Sequence, residues 1–229
     1  MGIGMLNESS LHSSLKKWYQ QPGDKIEERV DGYIIDIVRG DILIEIQVQN
    51  FSAIRAKLNS LVKSHKVRLV FPIPVEKTII KFSDLDYHNS EQKVLSKRKS
   101  PKKGKLLDVF DELVRLPQLF KSRNFSLDVL LVTMEEWRLN DGKGSWRRNG
   151  VSIVDKKLVE VRSSVLFAEK KDFLTFLPST LCYPFTNKDL ASLLDVSVNK
   201  ARKITYCLKR MGEIKEIGKR GRELLYDLE

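Results

Sequence analysis

The chain has 229 residues, 41% of them hydrophobic, which is enough for one medium domain with a packed core and a smaller one. No run approaches the roughly 18 to 20 apolar residues that a membrane span needs. Lys and Arg number 41 against 30 Asp and Glu, a formal net charge of +11, and that balance favours a polyanionic partner, most often nucleic acid.

Residues 7 to 19, NESSLHSSLKKWY, read as a helix with Asn7 as N-cap and an inward face of Leu11, Leu15 and Trp18. Glu8 lies three residues before Leu11 and so falls on that same face. QPGD (21 to 24) is a turn, and residues 26 to 38 are strand material broken at Asp31-Gly32. The next strand, 41 to 49, alternates: Ile42, Ile44, Ile46 and Val48 on one face, Leu43, Glu45 and Gln47 on the other. Residues 50 to 66 form an amphipathic helix with a stripe of Phe51, Ile54, Leu58, Leu61 and Val62. VRLVFPIPV (67 to 75) is a buried strand ending in prolines, and KTIIKF (77 to 82) is another.

Residues 92 to 105 carry seven Lys or Arg and no acid, the mark of an exposed basic loop, part of an insertion at about 83–105. A helix over 106 to 120 follows, then a strand within 126 to 137. A basic turn over 138 to 150 holds Trp146, and a strand pair runs to about 168. Trp137 and Trp146, interleaved with Arg138, Arg147 and Arg148, suit either stacking on an unpaired base or a packed strand beside a basic hairpin. NDGKG (140 to 144) lacks the spacing of a phosphate loop. Residues 176 to 185 form a proline-marked joint.

Cys182 and Cys207 read as reduced core thiols, and His12, His65 and His88 are too scattered for a zinc pattern. The opening MGIGMLNESS has neither a basic segment nor a long apolar one, so no signal peptide and a cytoplasmic location are expected, with no membrane partner.

From Phe185 the chain reads as a compact unit. Thr186 or Asn187 caps a helix bearing Leu190, Leu193 and Leu194, and Asp195-Val196-Ser197 turns the chain. A second helix to Met211 turns Val198, Ala201, Ile204, Thr205 and Leu208 inward, and Gly212 stops it. A hairpin with a basic tip closes the chain. Helix, turn, helix and two strands over about 44 residues resemble a winged helix-turn-helix domain, expected at 183–229 after a first domain at 1–178. The resemblance implies that the second helix enters a major groove with Asn199, Lys200, Arg202 and Lys203. Lys219, Arg220 and Arg222 on the wing would contact phosphates. The other use of such a unit is dimerisation or docking on its own chain.

Asp36 in one short strand and Glu45 in its neighbour raise a question of chemistry. A polar, solvated face would explain them without any. Glu8 on an apolar face argues otherwise, since buried acids are uncommon unless paired or metal-bound. Three carboxylates that converge would suit a hard divalent cation such as Mg2+ or Mn2+.

The order helix with Glu8, strand with Asp36, Glu45-Ile46-Gln47 and then an amphipathic helix resembles the PD-(D/E)XK nuclease superfamily over roughly residues 6 to 75. The resemblance implies an α/β fold, a restriction-endonuclease-like mixed sheet flanked by helices. It further implies a metal-dependent deoxyribonuclease in which Asp36 and Glu45 hold the metal, with the Ile46 carbonyl and Glu8 assisting. Gln47 stands where the family usually has lysine, as in the similar Glu-x-Gln of competence-protein nuclease domains. Glutamine hydrogen-bonds but supplies no cation. Arg55 or Lys57, early in the next helix, could return the positive charge. Glu27, Glu28 and Asp31 read as an exposed edge. DNA is the expected partner, and a homodimer would serve to cut both strands. The alternative is a DNA-binding or regulatory protein on a nuclease fold without catalysis.

Overall fold

A computed structural model describes residues 9–83 and 94–229 of the chain. The protein is mixed α/β, with a mixed sheet flanked by helices. No helix among the described residues is long and apolar enough to cross a membrane.

The first helix, α1 (Ser10–Tyr19), is capped by Ser9, whose hydroxyl accepts from the His12 amide. Leu11 and Leu15 are buried as expected, but Trp18 is half exposed and Tyr19 lies inward instead. The difference is one of helical phase: position 19 follows 15 by four, position 18 by three. Asn7 and Glu8 lie outside the described residues.

Three strands follow as an antiparallel meander: β1 (Lys25–Val30), β2 (Tyr33–Arg39) and β3 (Ile42–Ile46). The β1–β2 turn is Asp31-Gly32, both with positive φ (49° and 82°), the geometry of a two-residue hairpin matched to strand twist. β3 then pairs in parallel with β4 (Lys66–Phe82), the crossover being α2 (Phe51–Leu61). A strand at such a position is covered on both faces. So Leu43, Ile44, Glu45 and Ile46 are all buried, where alternation had suggested one solvated face. The pairing also ends β3 at Ile46, short of the expected 49.

The two strands expected at 67–75 and 77–82 are one strand of 17 residues. Pro72 and Pro74 lie within it because they fall in a gap between its partners on one edge. Pairing with β3 ends at Val70, and pairing with β5 (Val94–Lys99) begins at Thr78. The Val70 carbonyl faces the β3 side, accepting from the Gln47 amide at 2.9 Å. Residues 72 and 74 point the same way, so their missing N–H groups break no ladder.

β5 occupies the centre of the basic segment expected as a loop, and its residues are all exposed. Residues 84–93 of the expected insertion lie outside the described residues. The expected helix over 106–120 is instead a 3-10 turn, a short helix α3 (Phe110–Leu113) and a second 3-10 turn beginning at Pro117. Proline cannot continue the helix and biases Leu116 out of helical geometry. β6 (Phe125–Asn140) and β7 (Val151–Phe167) are long single strands, the latter replacing an expected pair. The sheet order is β1-β2-β3-β4-β6-β7, with β5 on β4.

The C-terminal segment forms α4 (Asn187–Leu194), α5 (Val198–Met211), β8 (Ile214–Arg220) and β9 (Glu223–Leu228), in the expected order. Thr186 caps α4 and Ser197 caps α5. Gly212, at φ 78°, ends α5 in the left-handed region. Leu193 is exposed, the buried α4 residues being Leu190 and Ala191. Cys207 is buried, but Cys182 is exposed and so is not a core thiol.

The chain divides into two compact units, Met1–Pro22 with Pro72–Leu106 and Leu130–Ser164, and Gly23–Phe71 with Leu107–Val129 and Val165–Glu229. This grouping cuts across the chain position 178–183. In the first unit, Ile80, Phe82 and Leu139 form an apolar cluster with Trp137 and Val154 against it. The Ser10 hydroxyl donates to Asp155 at 2.6 Å. In the second, Phe110, Phe120, Phe125, Phe167, Phe173 and Phe176 pack ring on ring, with neighbouring centroids 4.4 to 6.2 Å apart.

Candidate active site

The candidate site lies wholly in the second unit, where β2, β3 and α2 meet. Asp36 sits mid-strand in β2, half-buried between the buried Ile35 and Ile37. Its Oδ2 accepts the Ile46 amide proton at 2.8 Å, so the carboxylate is held across the strand pair to the end of β3. Glu45 is the residue before that amide. It is 5% exposed. The antiparallel pairing of β2 with β3 thus brings two acids nine positions apart in the chain to one place.

The third member comes from α2. The Lys57 ammonium lies 2.6 Å from Oε1 of Glu45 and also donates to the Ile34 carbonyl. It meets Oε1 as a charge contact, off the direction of a hydrogen bond, and Oε1 is buried without any other donor. Burial, and then the neighbouring Asp36 carboxylate, push the Glu45 carboxyl up to about 7, against the pull of Lys57. A buried acid at this pKa changes its charge near neutral pH.

Arg55, expected as a catalytic cation, is exposed on α2; the cation at the carboxylates is Lys57, two residues on. Gln47 does not deliver its amide to the acids. Its Nε2 donates to the backbone carbonyls of Gln49 and Asn50, closing the turn from β3 into α2. Asn50 takes a left-handed conformation there (φ 59°), which asparagine tolerates better than most residues. The α2 N-terminus is tied by Glu112, whose carboxylate accepts the Phe51 amide at 2.9 Å. Glu112 fixes the helix that carries Lys57, and nothing local in the sequence signals that role.

Asp36, Glu45 and the Ile46 carbonyl are the groups available for a divalent ion. No group of three or more His, Cys, Asp or Glu stands together as a metal set among the described residues, and Glu8 lies outside them. Two carboxylates still fit magnesium, which keeps several waters and takes one or two carboxylates plus substrate phosphate. The buried Glu45 Oε1 without an in-line donor is the atom that such an ion would satisfy.

The residues expected to touch DNA separate into two groups. Lys200 places its ammonium 2.8 Å from both Asp108 and Asp111, and Lys203 lies 2.8 Å from Asp111. Arg220 pairs with Asp189 at the start of α4. These three cations are therefore engaged within the chain, Lys200 and Lys203 because α5 packs against α3 and the turn after it. Asn199, Arg202, Lys219 and Arg222 are exposed. Glu27, Glu28 and Asp31 are exposed at the sheet edge, as expected, with Asp31 2.8 Å from His65.

A family model described as a domain of unknown function (DUF8091) matches residues 9–168. An uncharacterised protein of Treponema pallidum (strain Nichols) is 32% identical over 227 residues, covering 99% of this chain and 87% of that protein. No solved structure matches the chain.

Proposed function

The chain belongs to the DUF8091 family, and from that premise we propose that it is a metal-dependent endonuclease-like protein that hydrolyses DNA phosphodiesters. The reading rests on one observation: Asp36, the buried Glu45 and the Lys57 ammonium are gathered at the junction of β2, β3 and α2. An acid pair beside a fixed cation is the equipment of metal-assisted phosphoryl chemistry. It also fits the resemblance to the PD-(D/E)XK superfamily, with Lys57 supplying the charge that Gln47 lacks.

In this reading Asp36 and Glu45 would hold Mg2+ or Mn2+, with the Ile46 carbonyl as a further oxygen. Once bound, the ion would polarise the phosphoryl group and lower the pKa of a coordinated water. The Ile46 amide keeps Asp36 aimed across the strand pair. Lys57 would offer its ammonium to the phosphate oxygens that gain charge as water attacks phosphorus and the bond to the leaving sugar oxygen breaks, that oxygen taking up a proton. The exposed Asn199, Arg202, Lys219 and Arg222 supply DNA contact, and cutting both strands would use two copies.

The test is cleavage of supercoiled, linear and single-stranded DNA with Mg2+ or Mn2+, comparing wild type with Glu45→Ala. Cutting by wild type alone supports the reading; equal DNA binding with no cutting by either overturns it.

A second reading, a DNA-binding or regulatory protein without catalysis, is favoured by the self-pairing of the site. Lys57 is already seated 2.6 Å from Glu45, and the Gln47 amide is committed to its own turn. The pairing of Lys200 and Lys203 with Asp108 and Asp111 likewise suits a C-terminal unit that docks on its own chain.

A further inference from the structure

The turn between β6 and β7 displays Trp146 to solvent at 82% exposure, the highest of any large apolar side chain among the described residues. The exposure does not come from a slack loop. The Gly144 amide donates to the Gly150 carbonyl at 2.8 Å, and the Arg148 and Asn149 amides close a 3-10 turn at 2.9 and 3.0 Å. Arg148 Nε reaches the Val151 carbonyl at 3.1 Å. Asp141 accepts from the Lys143 amide and, at 2.8 Å, from the Ser152 hydroxyl. A Cβ on Gly144 would stand 1.9 Å from the Val151 carbonyl oxygen, so the backbone closes here only with glycine.

The ring is held outward by a built scaffold, with the Arg147 guanidinium 5.5 Å from its centroid. Lys143, Arg147 and Arg148 lie within three positions of it in the same turn, while the turn's one acid, Asp141, is occupied by hydrogen bonds within the turn. Trp137, by contrast, is packed against Phe82 with the Lys157 ammonium 3.4 Å from its centroid, an ordinary role within the sheet.

We infer that this turn is a stacking finger for an unpaired nucleic-acid base, with Trp146 as the platform and Lys143, Arg147 and Arg148 drawing the flanking phosphates. A flat aromatic beside guanidinium groups matches a base next to its phosphates, and stacking of this kind tolerates any base. The remaining turn residues are Asn, Asp, Gly and Ser, so the tip offers one ring and no apolar area around it. A membrane anchor needs more buried apolar surface than that. The chain's net charge of +11 points the same way.

The inference takes its partner class from the nucleic-acid reading above but does not depend on cleavage. The test uses the full chain in EDTA, so that nothing is cut. Tryptophan emission is followed on titration with oligo(dT), with a blunt duplex, and with phosphatidylserine vesicles. Wild type should bind oligo(dT) with saturable quenching. Trp146→Ala should lose most of that quenching and bind roughly 10- to 100-fold more weakly, Trp146→Phe should retain most of the affinity, and duplex binding should change less than about twofold. Unchanged oligo(dT) affinity in Trp146→Ala overturns the finger while leaving the nuclease reading intact if the protein still binds and cuts duplex. Absence of binding to either nucleic acid overturns both. Vesicle binding that depends on Trp146, without oligo(dT) binding, assigns the turn to a lipid surface and overturns the proposal.

Discussion

The ammonium of Lys57 stands 2.6 Å from Oε1 of Glu45, joining the helix α2 to the buried end of β3. One partner is an acid almost wholly removed from water, the other a lysine whose stem crosses from the helix surface. Their contact explains how Glu45 is tolerated in a strand otherwise made of Ile and Leu. It also places a cation beside Asp36 and Glu45 although the residue two after Glu45 is a glutamine.

Removing the cation exposes the mismatch. Lys57→Ala should destabilise the protein by about 3 kcal/mol at pH 8, because it leaves a buried carboxylate without a counter-charge. The loss should be much smaller near pH 5, where Glu45 carries a proton. Urea denaturation at the two pH values measures the difference. Under the nuclease reading the same substitution lowers cleavage by roughly 100-fold or more while calorimetry still detects metal binding.

Glu45 itself makes the metal-free protein less stable as pH rises. The carboxyl holds its proton to about pH 7 in the folded chain but releases it near its ordinary 4.5 when unfolded. Between those values the folded state binds more protons, so unfolding free energy falls with rising pH and levels off above about 7. The full shift corresponds to roughly 3 kcal/mol. Glu45→Gln should abolish this dependence, making the variant more stable than wild type at pH 8 and nearly equal to it at pH 4.5. Equal pH profiles for the two proteins would rule out the buried, proton-holding Glu45.

The contact of α5 with Asp111 is open to a double-mutant cycle. Burial opposes ionisation of Asp111, yet hydrogen bonds from Lys200 and Lys203 hold its carboxyl below the usual range. Asp111 is 43% exposed in its side chain, so solvent screens the pair. Asp111→Ala and Lys200→Ala should each cost about 1 kcal/mol, with a coupling of roughly 0.5 kcal/mol that fades in 1 M salt. Asp108→Asn combined with Asp111→Asn also tests the role of α5, since Lys200 is held by both acids. If its cations serve DNA, freeing them tightens salt-dependent DNA binding; unchanged affinity assigns the helix to docking.

Gly212 ends α5 at φ 78°, with its amide on the Lys209 carbonyl at 3.1 Å and the Glu213 amide on the Leu208 carbonyl at 3.0 Å. Space is not limiting, since an added Cβ would meet only the end of Lys170 at 3.8 Å. Gly212→Ala should therefore cost about 1 kcal/mol through backbone conformation alone, and Gly212→Asn less. Thermal unfolding of the two variants distinguishes conformation from crowding.

Much of the local structure was legible in the sequence because its causes are local. Asp31-Gly32 marked a break between strands, Thr186 or Asn187 the start of a helix, and Gly212 a stop. The spacing of Phe51, Leu58 and Leu61 marked the inner face of α2. Asp36 and Glu45 stood out as acids within short apolar strands, but alternation put Glu45 on a solvated face, and only the parallel pairing with β4 buries it. Tertiary structure decided the rest. Lys57 rather than Arg55 serves the acids because helix α2 is set by its packing on the sheet and by Glu112 at its start, and Glu112 lies 61 positions from Phe51. Pro72 and Pro74 broke the strand on paper but not in the sheet, since partners from two distant segments leave a gap where proline nitrogens do no harm. Lys200 and Lys203 read as free cations on a helix surface until Asp108 and Asp111 were brought to them. Sequence fixes what each short segment prefers; which charges meet depends on contacts between segments far apart in the chain, and no local preference encodes those.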